Sequence, residues 1–137
     1  MRQNERGRIT LANILLLAAL LVLPLMAMQR FSSGLLWGSI YTTVISVITY
    51  LAYGWDKQQA RDKEWRMPEA RLHLMELIGG WPGAFLAQRR LRHKCSKVSY
   101  QVVFWLIVLA YQLAALDSLQ EWRWTRAVLE QMERFAK

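Results

Sequence analysis

Three long stretches without a charged side chain constrain this chain more than any other feature. About 20 apolar residues are enough for a helix to cross the hydrocarbon core of a bilayer. The uncharged stretches reach or approach that length, and they comprise Leu11–Met28, Phe31–Trp55 and Val98–Leu116. We therefore predict an all-α integral membrane protein with one membrane domain, whose spanning helices cover about residues 11–28, 35–53 and 99–116.

The first apolar stretch also has a feature of secretory signal peptides, because the basic residues Arg2, Arg6 and Arg8 precede it. A signal peptide ends in a cleavage site with small residues at alternate positions. This stretch ends instead in Pro-Leu-Met-Ala-Met, at residues 24–28. We therefore expect it to be retained as a membrane anchor.

The positive charges are distributed unevenly along the chain, which carries 18 Lys and Arg against 10 Asp and Glu. Arg30 is the one cation between the first two predicted spans, whereas the segment between the second and third is rich in cations: Lys57, Arg61, Lys63, Arg66, Arg71, Arg89, Arg90, Arg92, Lys94 and Lys97. Cytoplasmic loops of membrane proteins carry an excess of Lys and Arg. The pattern predicts a multi-pass membrane protein with a cytoplasmic N-terminus and central segment and with its C-terminus on the opposite side. In a bacterium, that membrane would be the inner membrane and the C-terminus would be periplasmic.

Basic charge and seven tryptophans are also compatible with nucleic-acid binding. However, most of the aromatic residues lie in or beside the predicted spans, where the membrane accounts for them. No RNA-binding or helix-turn-helix motif is present, so the sequence does not favour nucleic acid as a partner.

The central segment contains a further apolar stretch, Leu72–Gln88, which is interrupted by Gly79, Gly80, Pro82 and Gly83. Glycine and proline at these positions disfavour one continuous spanning helix. A full crossing would also move the following basic residues to the opposite side of the membrane. We predict a helical hairpin over residues 68–91, with GGWPG as its turn, that lies at the interface or is re-entrant.

Two further patterns concern helix packing. Thr42, Ser46, Thr49 and Tyr53 share one face of the second predicted span, which is typical of contacts between membrane helices. After the third span, apolar residues continue at helical spacing without Gly or Pro. We predict an amphipathic helix over residues 117–136 that continues from the span and lies on the outer leaflet.

Two groups of residues could carry chemistry. Glu69, His73 and Glu76 have helical spacing and could bind a divalent cation, or the two glutamates could neutralise nearby cations. The basic residues 89–97 could capture an anion or an anionic lipid, or they could fix the orientation of the chain in the membrane. Cys95 lies in this run, but the sequence provides no base to activate its thiol.

The order of these motifs resembles the DUF1294 family of small bacterial membrane proteins. The residues that carry the resemblance are Tyr53–Lys57, Arg66, Pro68–Glu69, Leu72–His73, Glu76–Ala84, Arg92–Lys94, Lys97 and Tyr100. Some members of the family carry a nucleic-acid-binding cold-shock domain, but here a hydrophobic span takes its place. Cys95 departs from the Ser or Thr that the family pattern implies.

These interpretations predict one site at the cytoplasmic side, formed by Asp56, Lys57, Arg66, Glu69, His73, Glu76, Arg92, His93, Lys94 and Lys97. Gly79, Gly80, Pro82 and Gly83 provide the structural turn. The expected ligand is an anionic lipid headgroup or a small phosphorylated molecule, and no cofactor or resident metal is expected. The alternatives are a structural membrane subunit and a metal-assisted enzyme that uses Glu69, His73 and Glu76. Membrane lipids, a second copy of the chain or another membrane protein are the expected partners.

Overall fold

The computed structural model describes residues 7–31, 33–63, 65, 67–94 and 96–136, and this part of the chain is helical without any strand. A π-helical segment, Glu76–Gly80, connects the third and fourth helices. The helices in chain order are α1 (Leu11–Met28), α2 (Gly34–Asp62), α3 (Glu69–Met75), α4 (Trp81–Leu91), α5 (Val98–Leu119) and α6 (Arg123–Phe135).

Three of these helices, α1, α2 and α5, are long and apolar enough to cross a membrane. The chain therefore has the character of an all-helical membrane protein, as predicted. The helix α2 continues past the end of the predicted span at residue 53, and it ends before Lys63, which has a left-handed backbone with φ 55°. This extension carries Asp56 and Lys57 on ordered helix.

The segment between α2 and α5 is a broken helix. Gly79, with φ 117°, is the position where the backbone leaves helical geometry. Such a φ favours glycine over residues with a side chain. The break is shorter than the predicted GGWPG turn because Trp81, Pro82 and Gly83 already belong to α4. Proline is favoured in the first turn of a helix, where it loses no hydrogen bond, so Pro82 starts α4 here.

Glycine also allows α4 to lie directly on α2. A Cβ atom on Gly80 would be 2.0 Å from Thr49 Oγ1, and a Cβ atom on Gly83 would be 2.0 Å from the carbonyl oxygen of Ser46. The hydroxyl-bearing face of α2 thus packs against α4, as its pattern predicts. The Thr49 hydroxyl itself donates to the carbonyl oxygen of Ile45 in its own helix, at 2.7 Å. Close approach of the two backbones therefore contributes to this contact. The Thr49 hydroxyl contributes no hydrogen bond between the two helices.

Two tyrosines satisfy carbonyl groups at the helix break. The Tyr41 hydroxyl of α2 donates to the carbonyl oxygen of Ile78 at 2.7 Å, and the Tyr111 hydroxyl of α5 donates to that of Leu77 at 2.6 Å. A break leaves carbonyl groups without their helical partners, and unpaired backbone groups are unfavourable away from water. The two flanking long helices thus complete the hydrogen bonding of the break.

The start and the middle of the chain meet at one end of the bundle. The amide of Gly7 donates to the carbonyl oxygen of Arg90 at 2.8 Å, and Arg89 Nε donates to Asn13 Oδ1 at 2.9 Å. At the opposite end, Arg30 Nη1 donates to the carbonyl oxygen of Leu119 at 2.6 Å. We call the end with Gly7 and α4's last turn the polar end.

The chain bends sharply between α5 and α6, which differs from the predicted continuous helix. Glu121 and Trp122 both have φ 60°. The carboxylate of Asp117 accepts hydrogen bonds from the amides of Trp124 at 2.9 Å and Thr125 at 3.2 Å. An acidic side chain that accepts from the first amides of a helix stabilises its start. Asp117, in the last turn of α5, therefore stabilises the start of α6.

Candidate functional site

Four helix ends meet at the polar end: the last turns of α2 and α4 and the first turns of α3 and α5. They bring together two acids and three bases that are distant in sequence. We call this group the charge cluster, and it consists of Asp56, Glu69, His93, Lys94 and Lys97.

Asp56 is fully buried at the centre of the charge cluster. His93 Nε2 lies 2.6 Å from its Oδ2 atom, and Lys94 Nζ lies 3.7 Å from the same atom. The amide of Met67 donates to its other oxygen at 3.1 Å. Burying a carboxylate is unfavourable unless opposite charge and hydrogen-bond donors surround it. Asp56 has both, which makes it the centre of the cluster.

Glu69 lies at the outer side of the charge cluster. Lys97 Nζ is 2.8 Å from one of its oxygens and Lys94 Nζ is 3.0 Å from the other. The hydrogen bond from Lys97, assisted by Lys94 and opposed by partial burial, holds the pKa of the Glu69 carboxyl below its usual value. Lys94 bridges Glu69 and Asp56, and its side chain is only 7% exposed. Lys97 is 54% exposed and forms the accessible edge.

A second buried group surrounds Glu76, and we call it the glutamate network: Tyr53, His73, Glu76, Gln88 and Tyr100. Both tyrosine hydroxyls donate to Glu76 Oε1, with Tyr100 at 3.0 Å. His73 Nδ1 lies 2.7 Å from Glu76 Oε2. Gln88 Nε2 donates to the Tyr53 hydroxyl at 3.2 Å. Glu76 is fully buried, and these donors satisfy both of its oxygens.

His73 is the part of the glutamate network that reaches the surface, since its side chain is 17% exposed. Its ring stacks on Tyr100 with 4.0 Å between the ring centres. Donation from Nδ1–H to Glu76 leaves Nε2 of the neutral ring as an acceptor. Glu76 and Tyr100 therefore fix the position and orientation of the imidazole ring.

The remaining predicted site residues differ in their surroundings. Lys57 Nζ donates to the carbonyl oxygen of Leu91 and so caps the end of α4. Arg92 follows α4 in a left-handed conformation with φ 48°. It is exposed, and within the described part of the chain it has no acidic partner. Arg66 and Cys95 lie outside the described residues.

The predicted metal-ligand set does not converge. Glu69 contacts Lys94 and Lys97, whereas His73 and Glu76 contact each other. Across the residues that the structure describes, no group of three or more His, Cys, Asp or Glu side chains could hold a metal ion. The hypothesis of a metal-assisted enzyme has no geometric support here.

Sequence reasoning did not include the hydrogen-bonding residues from the spans in the site. Tyr53 and Tyr100 join the glutamate network, and Gln101 Nε2 donates to Gln88 Oε1 at 2.7 Å. Tyr53 was predicted on the packing face of the second span, and in the structure it is fully buried. The sequence did contain one signal for these hydrogen bonds. Gln88 and Gln101 lie at the ends of apolar stretches, where polar side chains need hydrogen-bond partners.

Comparisons with known proteins agree with the resemblance of the sequence motifs. The family described as "Protein of unknown function (DUF1294)" matches residues 46–100, which include α3, α4 and every residue of the charge cluster and the glutamate network. The "Uncharacterized protein YsdA" of Bacillus subtilis (strain 168) is 32% identical over 76 residues, which cover 54% of this chain and 85% of that protein. No solved structure matches the chain. The chain belongs to the DUF1294 family.

Proposed function

We propose that the polar end binds anionic lipid headgroups through cations that the charge cluster leaves accessible. Within the cluster, Asp56 and Glu69 pair with His93, Lys94 and Lys97. Outside it, Arg92 is exposed and unpaired by any described acid. Within it, Lys97 pairs with Glu69 and still has 54% of its side chain exposed. Arginine and lysine at a membrane surface attract anionic lipid, by about 1 kcal/mol per residue.

The position of two tryptophans supports this assignment. Trp55 and Trp65 are 43% and 59% exposed and contact each other with 6.1 Å between their ring centres. Tryptophan is enriched at the level of the lipid headgroups. Trp55 immediately precedes Asp56, so the aromatic pair would hold the charge cluster at headgroup depth.

The proposal includes an orientation in the membrane. The polar end faces the cytoplasm, because it combines the basic central segment with the start of the chain. Arg30 and α6 then lie on the periplasmic side of the inner membrane. The broken helix enters from the cytoplasmic side as a re-entrant hairpin and returns to it. The hydrogen bonds at the break support this re-entrant arrangement, because backbone carbonyls inside a bilayer need partners within the protein. Tyr41 donates to the Ile78 carbonyl and Tyr111 donates to the Leu77 carbonyl.

The proposal depends on one observation about Arg92. This residue is exposed and has no described acidic partner, whereas the acids and bases of the neighbouring charge cluster neutralise one another. The test is the double substitution Arg92→Gln and Lys97→Gln, with Arg123→Gln and Arg134→Gln in α6 as the matched control. Native mass spectrometry would compare the lipids that each protein retains from an equal mixture of phosphatidylglycerol and phosphatidylcholine.

The expected result is a loss of preference for phosphatidylglycerol of about 30-fold at low salt, from about 1 kcal/mol for each of two cations. The α6 control should keep the preference of the unaltered protein. An unchanged preference in the Arg92 and Lys97 variant, or an equal loss in the control, contradicts headgroup binding at the polar end.

A structural role is the second candidate, and the internal pairing of the charges favours it. Every described acid of the two buried clusters has a base or hydroxyl partner, and Asp56 and Glu76 are inaccessible. Such pairing would hold α2, α3, α4 and α5 together. If the clusters serve packing alone, substitution of Asp56 lowers stability while lipid preference stays unchanged.

A further inference from the structure

A cleft of about 430 Å³ lies between α1, α2 and α4, in the part of the bundle that the long apolar helices form. Leucines of α1, including Leu17 and Leu21, line one wall, and Val47 and Tyr50 of α2 line another. Pro82 and Leu86 of α4 contribute to its floor. Its volume lies in the range of about 300–1,000 Å³ that is typical of sites for small ligands.

The lining determines what can fill this cleft. Protein interiors are close-packed, and apolar surface that faces empty space loses its dispersion contacts. Water does not occupy such a space readily because it needs several polar partners. The walls belong to two helices that are suited to span a membrane, so the medium around the cleft is lipid. A hydrocarbon chain is the occupant that matches both the walls and the surroundings.

Cations lie above one end of the cleft. That end is marked by Leu17 of α1 and Leu86 of α4, and the next turn of each helix toward the polar end carries Asn13 and Arg89, which are hydrogen-bonded to each other. One turn of helix is about 5.4 Å. Arg92 lies on the same side, since a Cβ atom at Gly7, just before α1, would be 3.1 Å from Arg92 Cγ.

We propose that this cleft binds an acyl chain of one anionic phospholipid whose phosphate lies at the basic layer of Arg89 and Arg92. The inference deepens the proposed function, on which its headgroup half rests, by specifying a ligand that carries a chain. It excludes a free phosphorylated molecule as the main ligand. The chain half rests on the cleft alone and can be tested separately.

The chain offers a matched pair of substitutions. Val44 and Val47 both lie on α2 and are both 53% exposed, but only Val47 lines the cleft. Val47→Trp would fill the space, whereas Val44→Trp adds the same side chain to a surface outside the cleft. Each variant would be extracted from membranes that contain phosphatidylglycerol, exchanged into detergent and measured by native mass spectrometry.

The expected result is one retained lipid in the unaltered protein and in V44W, and an occupancy at least tenfold lower in V47W. Inorganic phosphate added in excess should not displace the lipid. Equal occupancy in V44W and V47W overturns the inference, as does displacement by phosphate. A dimer that V47W dissociates also overturns it, because a second copy would then be the occupant of the cleft.

Two controls keep these outcomes interpretable. Melting temperatures in detergent establish that V47W folds, and Val47→Phe replaces it in the same assay if it does not. The Arg92→Gln and Lys97→Gln variant separates the two proposals. If headgroup binding fails and the chain site holds, that variant keeps the unaltered lipid preference while V47W still loses the bound lipid.

Discussion

Gly83 and Gly54 allow a direct test of how α4 is held on α2. Both are helical glycines, but their surroundings differ. A Cβ atom on Gly83 would meet backbone atoms of Ser46, with the carbonyl oxygen at 2.0 Å and the carbonyl carbon at 2.6 Å. A Cβ atom on Gly54 would meet only Leu91 Cδ1, at 4.0 Å. The first contact is impossible without movement, and the second is ordinary van der Waals contact.

The expected effects of alanine at the two positions have opposite signs. Alanine is favoured over glycine in a helix by about 1 kcal/mol, and Gly54→Ala should gain up to that amount. In Gly83→Ala, α4 must withdraw from the rigid backbone of α2. Overpacking of this kind is unfavourable by about 1–3 kcal/mol, and contact with rigid backbone belongs at the upper end of that range. After the gain of about 1 kcal/mol in helix propensity, we expect a net loss of up to about 2 kcal/mol.

The free energy of unfolding can be measured in mixed micelles by titration with SDS, with tryptophan fluorescence as the signal. G83A should unfold at a lower SDS fraction than the unaltered protein, and G54A at the same or a higher fraction. Withdrawal of α4 would also displace Gln88 from Tyr53. The environment of Tyr53 should therefore change in G83A and stay the same in G54A. Equal stability of G83A and G54A would refute the close approach of α4 to α2.

Three other predictions concern the polar groups. Asp56→Asn leaves buried bases without their counter-charge and should lower the free energy of unfolding by about 3–5 kcal/mol, whereas Asp62→Asn on the exposed end of α2 should change it by less than about 0.5 kcal/mol in the same titration. Because the pKa of Glu69 is lowered in the folded state, its contribution is present at neutral pH and is lost as the pH falls through that pKa. The melting temperature of the unaltered protein should therefore drop on acidification below about pH 4, and this drop should be smaller in Glu69→Gln. If the two proteins have the same pH profile, the contacts of Glu69 with the lysines do not contribute to stability. Tyr41→Phe removes the donor to the helix break and should lower stability by about 1–3 kcal/mol, while Tyr50→Phe serves as the control, because no described residue accepts a hydrogen bond from its hydroxyl. A Y41F variant as stable as Y50F would contradict that role.

The three long apolar helices could be predicted from the sequence because absence of charge over a sufficient length is a local property. The helix α1 covers the predicted residues, and the other two long helices contain theirs. The extension of α2 to Asp62 was not predicted, since the hydrophobic signal ends at the first charged residues. This extension makes tertiary contacts instead: Asp56 is buried against His93 and Lys94, and Lys57 donates to the carbonyl oxygen of Leu91 at the end of α4.

The sequence singled out the charged residues that meet at the polar end, but it did not predict the contacts between them. The spacing of Glu69, His73 and Glu76 suggested one shared ligand, but the lysines of the α5 end draw Glu69 away from the other two. Helical spacing places side chains on one face and does not determine which neighbour each one contacts. The tyrosines of the glutamate network come from two different long helices, so no local pattern could connect them to Glu76.

The order of the partners along the chain has a consequence for biosynthesis. Ile78, Leu77 and Glu76 are translated before Tyr100 and Tyr111, which later pair with Glu76 and with the Leu77 carbonyl. A growing polypeptide that ends before α5 therefore contains the broken helix without two of its donors. In the proposed re-entrant arrangement, the hairpin has to remain hydrated or be sheltered by the insertion machinery until α5 has left the ribosome. In that arrangement, α5 supplies the donors that allow the broken helix to leave water.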